Sequence, residues 1–332
     1  MTKVIDNKLN YQNKPPTQCL DTLAQLSTNR CKCLKDKQLI ERKTLQKRAR
    51  AKSFTNSYLF DLIDLKSSLN KSYWQTFHCS KVILQEGKKI TSRYCNQRWC
   101  LTCNRIRTAK MINGYSEPLS KFKEPQFVTL TIKNVKGVNL KASIELMNDS
   151  LKDIRKNLKK TYGKTLKGLR KYECTYNKKS NEFHPHFHLI VDGFETSNLL
   201  VDLWLKKHLT ADRKAQDITK ANDGTMVELC KYFTKVISKD NDYNPKALDV
   251  MFMAAKGKRT FQPIGIKKIV SEDIEEIQSQ EITFKEPQNQ IWVFDKGSFD
   301  WSSADGELFS GYEPTKDDLE IINQEYKTDN YV

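Results

Sequence analysis

The residues best suited to chemistry gather in one short stretch, His184-Pro185-His186-Phe187-His188-Leu189-Ile190-Val191. The chain has five histidines, and three of them fall here. His184, His186 and His188 share one parity, while Phe187, Leu189 and Val191 share the other. A strand with one buried face requires that alternation. Two imidazoles two residues apart on a strand point the same way and can share one metal ion. A strand with merely solvated histidines is the alternative, but a rare residue clustered on one face calls for a reason.

A second group lies in Met226-Val227-Glu228-Leu229-Cys230-Lys231-Tyr232-Phe233-Thr234-Lys235. The pattern predicts a helix over 225–239, with Glu228 and Tyr232 on one face. Lys231, Lys235 and Lys239 repeat along a neighbouring line. A metal on imidazoles, a tyrosine and several lysines suit cleavage of a phosphodiester by a tyrosine nucleophile. A free Tyr has a pKa of about 10 and is mostly protonated at neutral pH. Nearby ammonium groups and a metal-polarised phosphate make its attack feasible without a strong base. Glu173, in the preceding β segment, is placed to reach the same ion. Two imidazoles and one carboxylate leave positions open for phosphate oxygens, which suits Mn²⁺ or Mg²⁺.

The third group is cysteine. Cys95, Cys100 and Cys103 are spaced C-x4-C-x2-C, with Cys79 upstream. Four thiolates close a tetrahedral Zn²⁺ site. Cys79 is the expected fourth ligand, with His78 as the substitute; buried free thiols are the alternative. Such a zinc would pin a loop-rich, Lys/Arg-rich knuckle.

The elements that must position these groups follow from periodicity. Residues 1–35 have no clear period and are expected to be loosely ordered. A basic helix is predicted from about 35 to 67, and a second helix over 105–120. Phe127-Val128-Thr129-Leu130-Thr131-Ile132 alternates, with Val128, Leu130 and Ile132 toward the core. Ile144, Met147, Leu151, Ile154 and Leu158 mark an amphipathic helix over 140–160. A strand over 169–176 forms a hairpin with the histidine strand. A helix over 198–208 buries Trp204. Ile291-Trp292-Val293-Phe294 is strand-like. Gly163-Lys164-Thr165 has the look of a phosphate loop's end, but Leu158 stands where its first glycine is required.

Charge narrows the partner. The chain has 332 residues and a net charge of +17, with 57 Lys and Arg against 40 Asp and Glu. Residues 271–332 carry 16 acidic and 4 basic side chains, so residues 1–270 hold the positive excess. A body this basic points to nucleic acid. No run of 18 apolar residues predicts a membrane span, and the polar start has no signal-peptide pattern. A cytoplasmic, reducing setting is therefore expected, where clustered cysteines mean metal more often than disulfides.

Together these blocks resemble the plasmid rolling-circle replication initiators (Rep proteins) of the HUH endonuclease superfamily. Phe127-Val128-Thr129-Leu130-Thr131 is similar to the family's first strand motif. His184-Pro185-His186-Phe187-His188 is similar to its metal motif, with His186 and His188 at the two ligand positions. Glu173-Cys174-Thr175-Tyr176-Asn177 resembles the segment ahead of it. The Glu228–Lys235 block resembles the nucleophile motif, with Tyr232 attacking and Lys235 among the catalytic groups. Many relatives use two tyrosines separated by three residues. Here Glu228 takes the first position, so the resemblance is to the single-tyrosine subgroup, in which such a Glu helps to end the cycle.

The resemblance implies an α+β fold. Its core is an antiparallel sheet of about five strands with packed helices, like the RNA-recognition fold, plus the Cys-rich knuckle and a helical N-terminal region. The expected division is 1–35 tail, 36–120 basic and Cys-rich region, 121–245 endonuclease core, and 246–332 C-terminal extension with its acidic tail. Implied partners are plasmid origin DNA, single-stranded at the nick, and the host helicase and polymerase, in a bacterial cytoplasm. Arg98, Lys231, Lys239, Lys258 and Arg259 are candidate DNA contacts. A relaxase or single-strand transposase would use the same parts. A non-enzymatic zinc-bearing nucleic-acid-binding protein is the reading from a different class.

Overall fold

A computed structural model describes residues 34–86, 89–230, 244–269 and 290–323. The chain divides into two units, residues 1–41 and 42–332. Only the backbone of 34–41 is described in the first. The elements, in chain order, are α1 (Leu34–Asp64), α2 (Asn70–Phe77), β1 (Val82–Glu86), β2 (Lys89–Ser92), α3 (Leu101–Ser120), β3 (Pro125–Thr131), α4 (Gly137–Tyr162), β4 (Gly168–Asn177) and β5 (Glu182–Asp192). They continue as α5 (Phe194–Lys207), β6 (Asp217–Lys220), α6 (Asp223–Cys230), α7 (Pro245–Ala255), β7 (Phe261–Ile264), β8 (Gln290–Asp295), β9 (Asp300–Ser302) and α8 (Lys316–Ile322).

The expected α+β core is present. Its 5-stranded sheet has the order β6-β3-β5-β4-β7, antiparallel throughout. The run β3-α4-β4-β5-α5-β6 is a split βαβ arrangement, and β7 adds a strand at the β4 edge. The histidine stretch is the central strand β5. Phe187, Leu189 and Val191 are fully buried, and on β3 Val128 and Leu130 are too. They pack with Leu140, Ile144, Met147, Leu151, Ile154 and Leu158 of α4 and with Trp204 of α5. The alternate residues of the sheet face the other way. There Leu169 and Ile190 pack with Met111, Tyr115 and Leu119 of α3 and with Leu229 of α6.

One backbone approach sets where β4 begins. Gly168 pairs with Val191, and a Cβ there would lie 2.0 Å from the Ile190 carbonyl oxygen. Any other residue would push β4 off β5. At the end of α4, Gly163 takes the left-handed conformation that closes the helix.

A second sheet has the order β2-β1-β8-β9. Its core is Ile83, Trp292, Phe294 and Trp301, closed by Ala49 of α1 and Tyr312. Fully buried Asp300 holds the turn after β9, its Oδ2 accepting from the backbone N–H of Ser310, Gly311 and Tyr312. The Trp301 indole donates to the Ser80 carbonyl at 2.7 Å. Residues 290–302 thus complete the sheet begun next to the cysteine region, and Asp318 of α8 pairs with Arg50 of α1 at 2.8 Å.

Phe187 is the side chain on which β5 rests. Its ring lies 5.8 Å from Trp204 and 6.3 Å from Tyr172, with the Arg170 guanidinium over it at 4.5 Å. Phe187→Ala should cost about 3–5 kcal/mol of stability. Urea unfolding followed by tryptophan fluorescence checks this, and a loss below about 1 kcal/mol would mean the strand is held elsewhere.

Candidate metal centre and cysteine cluster

Register brings the predicted ligands together. His186 lies opposite Glu173 on β4, and His188 lies opposite Thr129 on β3. All four point to the sheet face that α4 and α5 leave uncovered. Glu173 Oε2 is 3.5 Å from Nε2 of His186 and 3.5 Å from Nε2 of His188. Neighbouring ligands in an octahedral shell with bonds of about 2.1 Å lie about 3.0 Å apart. Glu173 therefore needs to close on each histidine by a few tenths of an ångström to share one ion with them, and the ligand atoms of all three lie within 4.8 Å of one another. His186 is buried, while His188 and Glu173 are half-buried, which leaves a side of the cluster open to a ligand.

The groups behind these side chains aim them. His186 Nδ1 donates to the His184 carbonyl at 3.0 Å, leaving Nε2 as the lone-pair nitrogen. His188 Nδ1 lies 3.1 Å from Thr129 Oγ1, and its ring stacks on Phe127 at 5.2 Å. A ligating imidazole is normally oriented in this way through its other nitrogen. The buried Lys171 ammonium pairs with Glu173 Oε1, so Oε2 is the oxygen turned to the histidines. Burial by itself would raise the Glu173 carboxyl; its contacts with His186 and His188 and the Lys171 charge outweigh it and hold the pKa well below the carboxylate range. The carboxylate is thus ready to bind a cation at any ordinary pH. His184 stays outside the trio, its Nδ1 lying 2.8 Å from Asn134 Oδ1.

The four cysteines also converge. Cys79, Cys95, Cys100 and Cys103 form one cluster, and Cys79, not His78, supplies the fourth sulfur. The Sγ atoms of Cys79 and Cys103 are 3.5 Å apart, those of Cys95 and Cys103 3.7 Å, and those of Cys79 and Cys100 3.6 Å. The edge of a tetrahedron with Zn–S bonds of about 2.3 Å is about 3.8 Å. The backbone N–H groups of Cys95, Gln97 and Cys103 point at the sulfurs of Cys79, Cys95 and Cys100. Lys52 of α1 is buried, with its ammonium donating to the Phe77 carbonyl at 2.6 Å. Burial pulls its pKa down, and the four cysteines oppose that. A buried cation beside four thiolates offsets the net negative charge that a four-thiolate zinc site carries.

The remaining predicted residues fall in two places. Glu228 is exposed on α6, next to buried Leu229. Tyr232, Lys231, Lys235 and Lys239 lie outside the described residues. The Arg98 guanidinium donates to the carbonyls of Ala255 and Lys258, which ties the knuckle to the turn after α7. Lys258 pairs with Glu145, and Arg259 is exposed. Sequence reasoning missed Thr129, Lys171 and Lys52 as orienting groups. Strand alternation had put Thr129 on the histidine side, but its partner depends on a pairing register that periodicity does not supply.

The profile of the replication protein family matches residues 87–195. That stretch holds Glu173, His186, His188 and three of the four cysteines. Over it, the chain is similar to the replication protein family. Among individual relatives, the protein called Protein rep from Staphylococcus aureus is 28% identical over 181 residues, 48% of this chain and 76% of that one. Protein rep from Streptococcus pneumoniae serotype 2 is 27% identical over 172 residues, 44% of this chain and 53% of its own length. Protein rep from a Bacillus species is 30% identical over 110 residues, 31% of this chain and 35% of its own length. The chain thus spans three quarters of the first of these Rep proteins and about half or less of the other two. No solved structure matches the chain. None of the described helices is long and apolar enough to cross a membrane.

Two outcomes are expected. Thr129→Val removes the group that orients His188 without changing side-chain size, and should weaken Mn²⁺ binding about 10- to 100-fold. Isothermal titration measures this, and an unchanged affinity would mean that Thr129 does not orient the ring. Cys103→Ser should reduce bound zinc from one ion per chain toward none, by metal analysis of the purified protein. Full zinc content in that variant would refute the four-sulfur site.

Proposed function

We propose that the protein is a plasmid rolling-circle replication initiator that nicks and rejoins single-stranded DNA through Tyr232. The observation that carries this reading is the convergence of Glu173, His186 and His188 on the sheet face to which α6 is anchored. Leu229 of α6 is buried in the cluster that contains Ile190, and Ile190 is the next same-face residue of β5 after His188. Tyr232 follows Leu229 by three residues, a reach of at most about 10 Å. The sequence that leads into Tyr232 is thus anchored on the ligand-bearing face of the sheet, which supports the reading.

In this reading Glu173, His186 and His188 would hold Mn²⁺ or Mg²⁺, and the ion would supply positive charge for the non-bridging oxygens of the scissile phosphate. The Tyr232 oxygen forms a bond to phosphorus, and the bond from phosphorus to the 3′ oxygen breaks. The phenol loses its proton and the departing 3′ oxygen gains one, with Lys235 close enough in sequence to serve the transfer. The products are a 5′-phosphotyrosine and a free 3′-OH. The 3′-OH primes the host polymerase behind a host helicase, and the energy of the broken bond is kept in the phosphotyrosine. One tyrosine holds one DNA end. Glu228, exposed one helical turn before Tyr232 in sequence, acts as the general base for water in the last cleavage. Residues 121–245 supply the chemistry, extended by β7. The zinc-bearing knuckle of 36–120 and the extension of 246–332 support it and engage origin DNA in the bacterial cytoplasm.

The test is an adduct assay on labelled single-stranded oligonucleotides that tile the replicon encoding the chain, with and without Mn²⁺. A covalent protein–DNA adduct should form on the oligonucleotide carrying the nick site and vanish with EDTA. Tyr232→Phe should abolish it, and the pair His186→Ala/His188→Ala should lower it at least a thousandfold. Adduct persisting in Tyr232→Phe would reassign the nucleophile. Undiminished, EDTA-insensitive activity in the histidine pair would remove the metal role.

A further inference from the structure

We propose that the groove between α4 and the turn after α7 is a channel for the phosphate backbone of duplex DNA, separate from the metal centre. The inference rests on the nucleic-acid reading above and adds a place and a form of DNA to it. The groove encloses about 680 Å³. Its cationic lining comes from Lys152 and Arg155 of α4, Arg170 of β4, and Lys258 and Arg259 of the turn, against the two carboxylates of Glu145 and Asp149. Glu145 is already paired with Lys258. The lining is therefore positive before any ligand arrives.

Arg170 is the distinctive part. It is 1% exposed, yet among the described residues no carboxylate pairs with it. One guanidinium nitrogen donates to the Asn148 side chain, another to the Arg259 carbonyl at 2.6 Å, and Nε has no partner among the described residues. Burial lowers its pKa to about 10, the reverse of what a neighbouring carboxylate would do. A buried guanidinium with no counter-charge is costly, and an anion bound over it offsets that cost.

Two features choose duplex over single strand. Grooves for single strands stack bases on aromatic rings, and among the described residues this lining has no aromatic side chain. The groove also faces away from the histidines. Arg170 and Lys171 are consecutive in β4, so their side chains leave opposite faces of the sheet. A strand held at the metal centre cannot lie in the groove as well. The duplex flanking the nick site can, by passing round the β4–β7 edge.

The experiment uses the full chain and fluorescence anisotropy with a labelled duplex and a labelled single strand of equal length, over a range of salt. Lys152→Glu/Arg155→Glu should weaken duplex binding at least tenfold. It should also lower the magnitude of the salt slope by about 2, since each lost phosphate contact removes about 0.9. Adduct formation on the single-stranded substrate should stay at the unmutated level. Lys206→Glu/Lys316→Glu, with the same change in net charge on exposed lysines elsewhere, should leave duplex affinity within about twofold. An unchanged slope in the groove variant, an equal loss in the control pair, or an equal loss on the single strand would each overturn the proposal. Should the unmutated chain form no adduct while the duplex results hold, the endonuclease reading falls and the groove stands.

Discussion

The candidate metal centre depends on the register in which β5 lies between β3 and β4. Side chains on a strand alternate with a period of two, so a slip of one residue turns every side chain to the other face. Here such a slip would drive His186 and His188 into the layer under α4 and α5 and expose Phe187 and Leu189. What opposes it is the fit of fully buried Phe187, Leu189 and Val191 against that layer, together with the contact of Gly168 on the β5 backbone. The same register sets Glu173 opposite His186 and Thr129 opposite His188. Hydrocarbon packing on one face of the sheet therefore sets the ligand geometry on the other.

Three buried cations sit behind the regions that are to meet negative charge. Lys171 takes one oxygen of Glu173 and leaves the second for the histidines. Lys52 lies in the field of the four cysteines. Among the described residues, no carboxylate pairs with Arg170 beneath the groove. Lysine and arginine are seldom buried unless paired. In the first two cases the partner is a cluster of candidate metal ligands. In the proposed groove, a DNA phosphate would supply the counter-charge for the third.

Much of this was legible in the chain itself. Alternation from 184 to 191 identified a one-sided strand, and the three- and four-residue spacing from Ile144 to Leu158 identified α4. The C-x4-C-x2-C spacing pointed to the knuckle and Cys79 to its fourth sulfur, because those signals are local. The groups that required two distant segments to meet were not legible. Thr129 as the partner of His188 depends on strand register, Lys52 beside the cysteines depends on how α1 packs, and the use of Arg98 on the carbonyls of Ala255 and Lys258 depends on a contact across more than 150 residues. Pairing of β8 with β1 across 200 residues of chain was equally hidden, since strand propensity names a strand and not its neighbour. The Tyr232 segment lies outside the described residues, so its part in the reading rests on sequence and connectivity.

The division of the histidine face carries a consequence for the proposed reaction. One half of that face is covered, where α3 and α6 bury Leu169 and Ile190. The other half, toward His184 and Thr131, carries the candidate ligands. Under the proposed function a phosphate reaches the ion from that half, where His188 and Glu173 are only half-buried. The register that aims both ligands there therefore also decides on which side of the sheet the reacting strand has to lie.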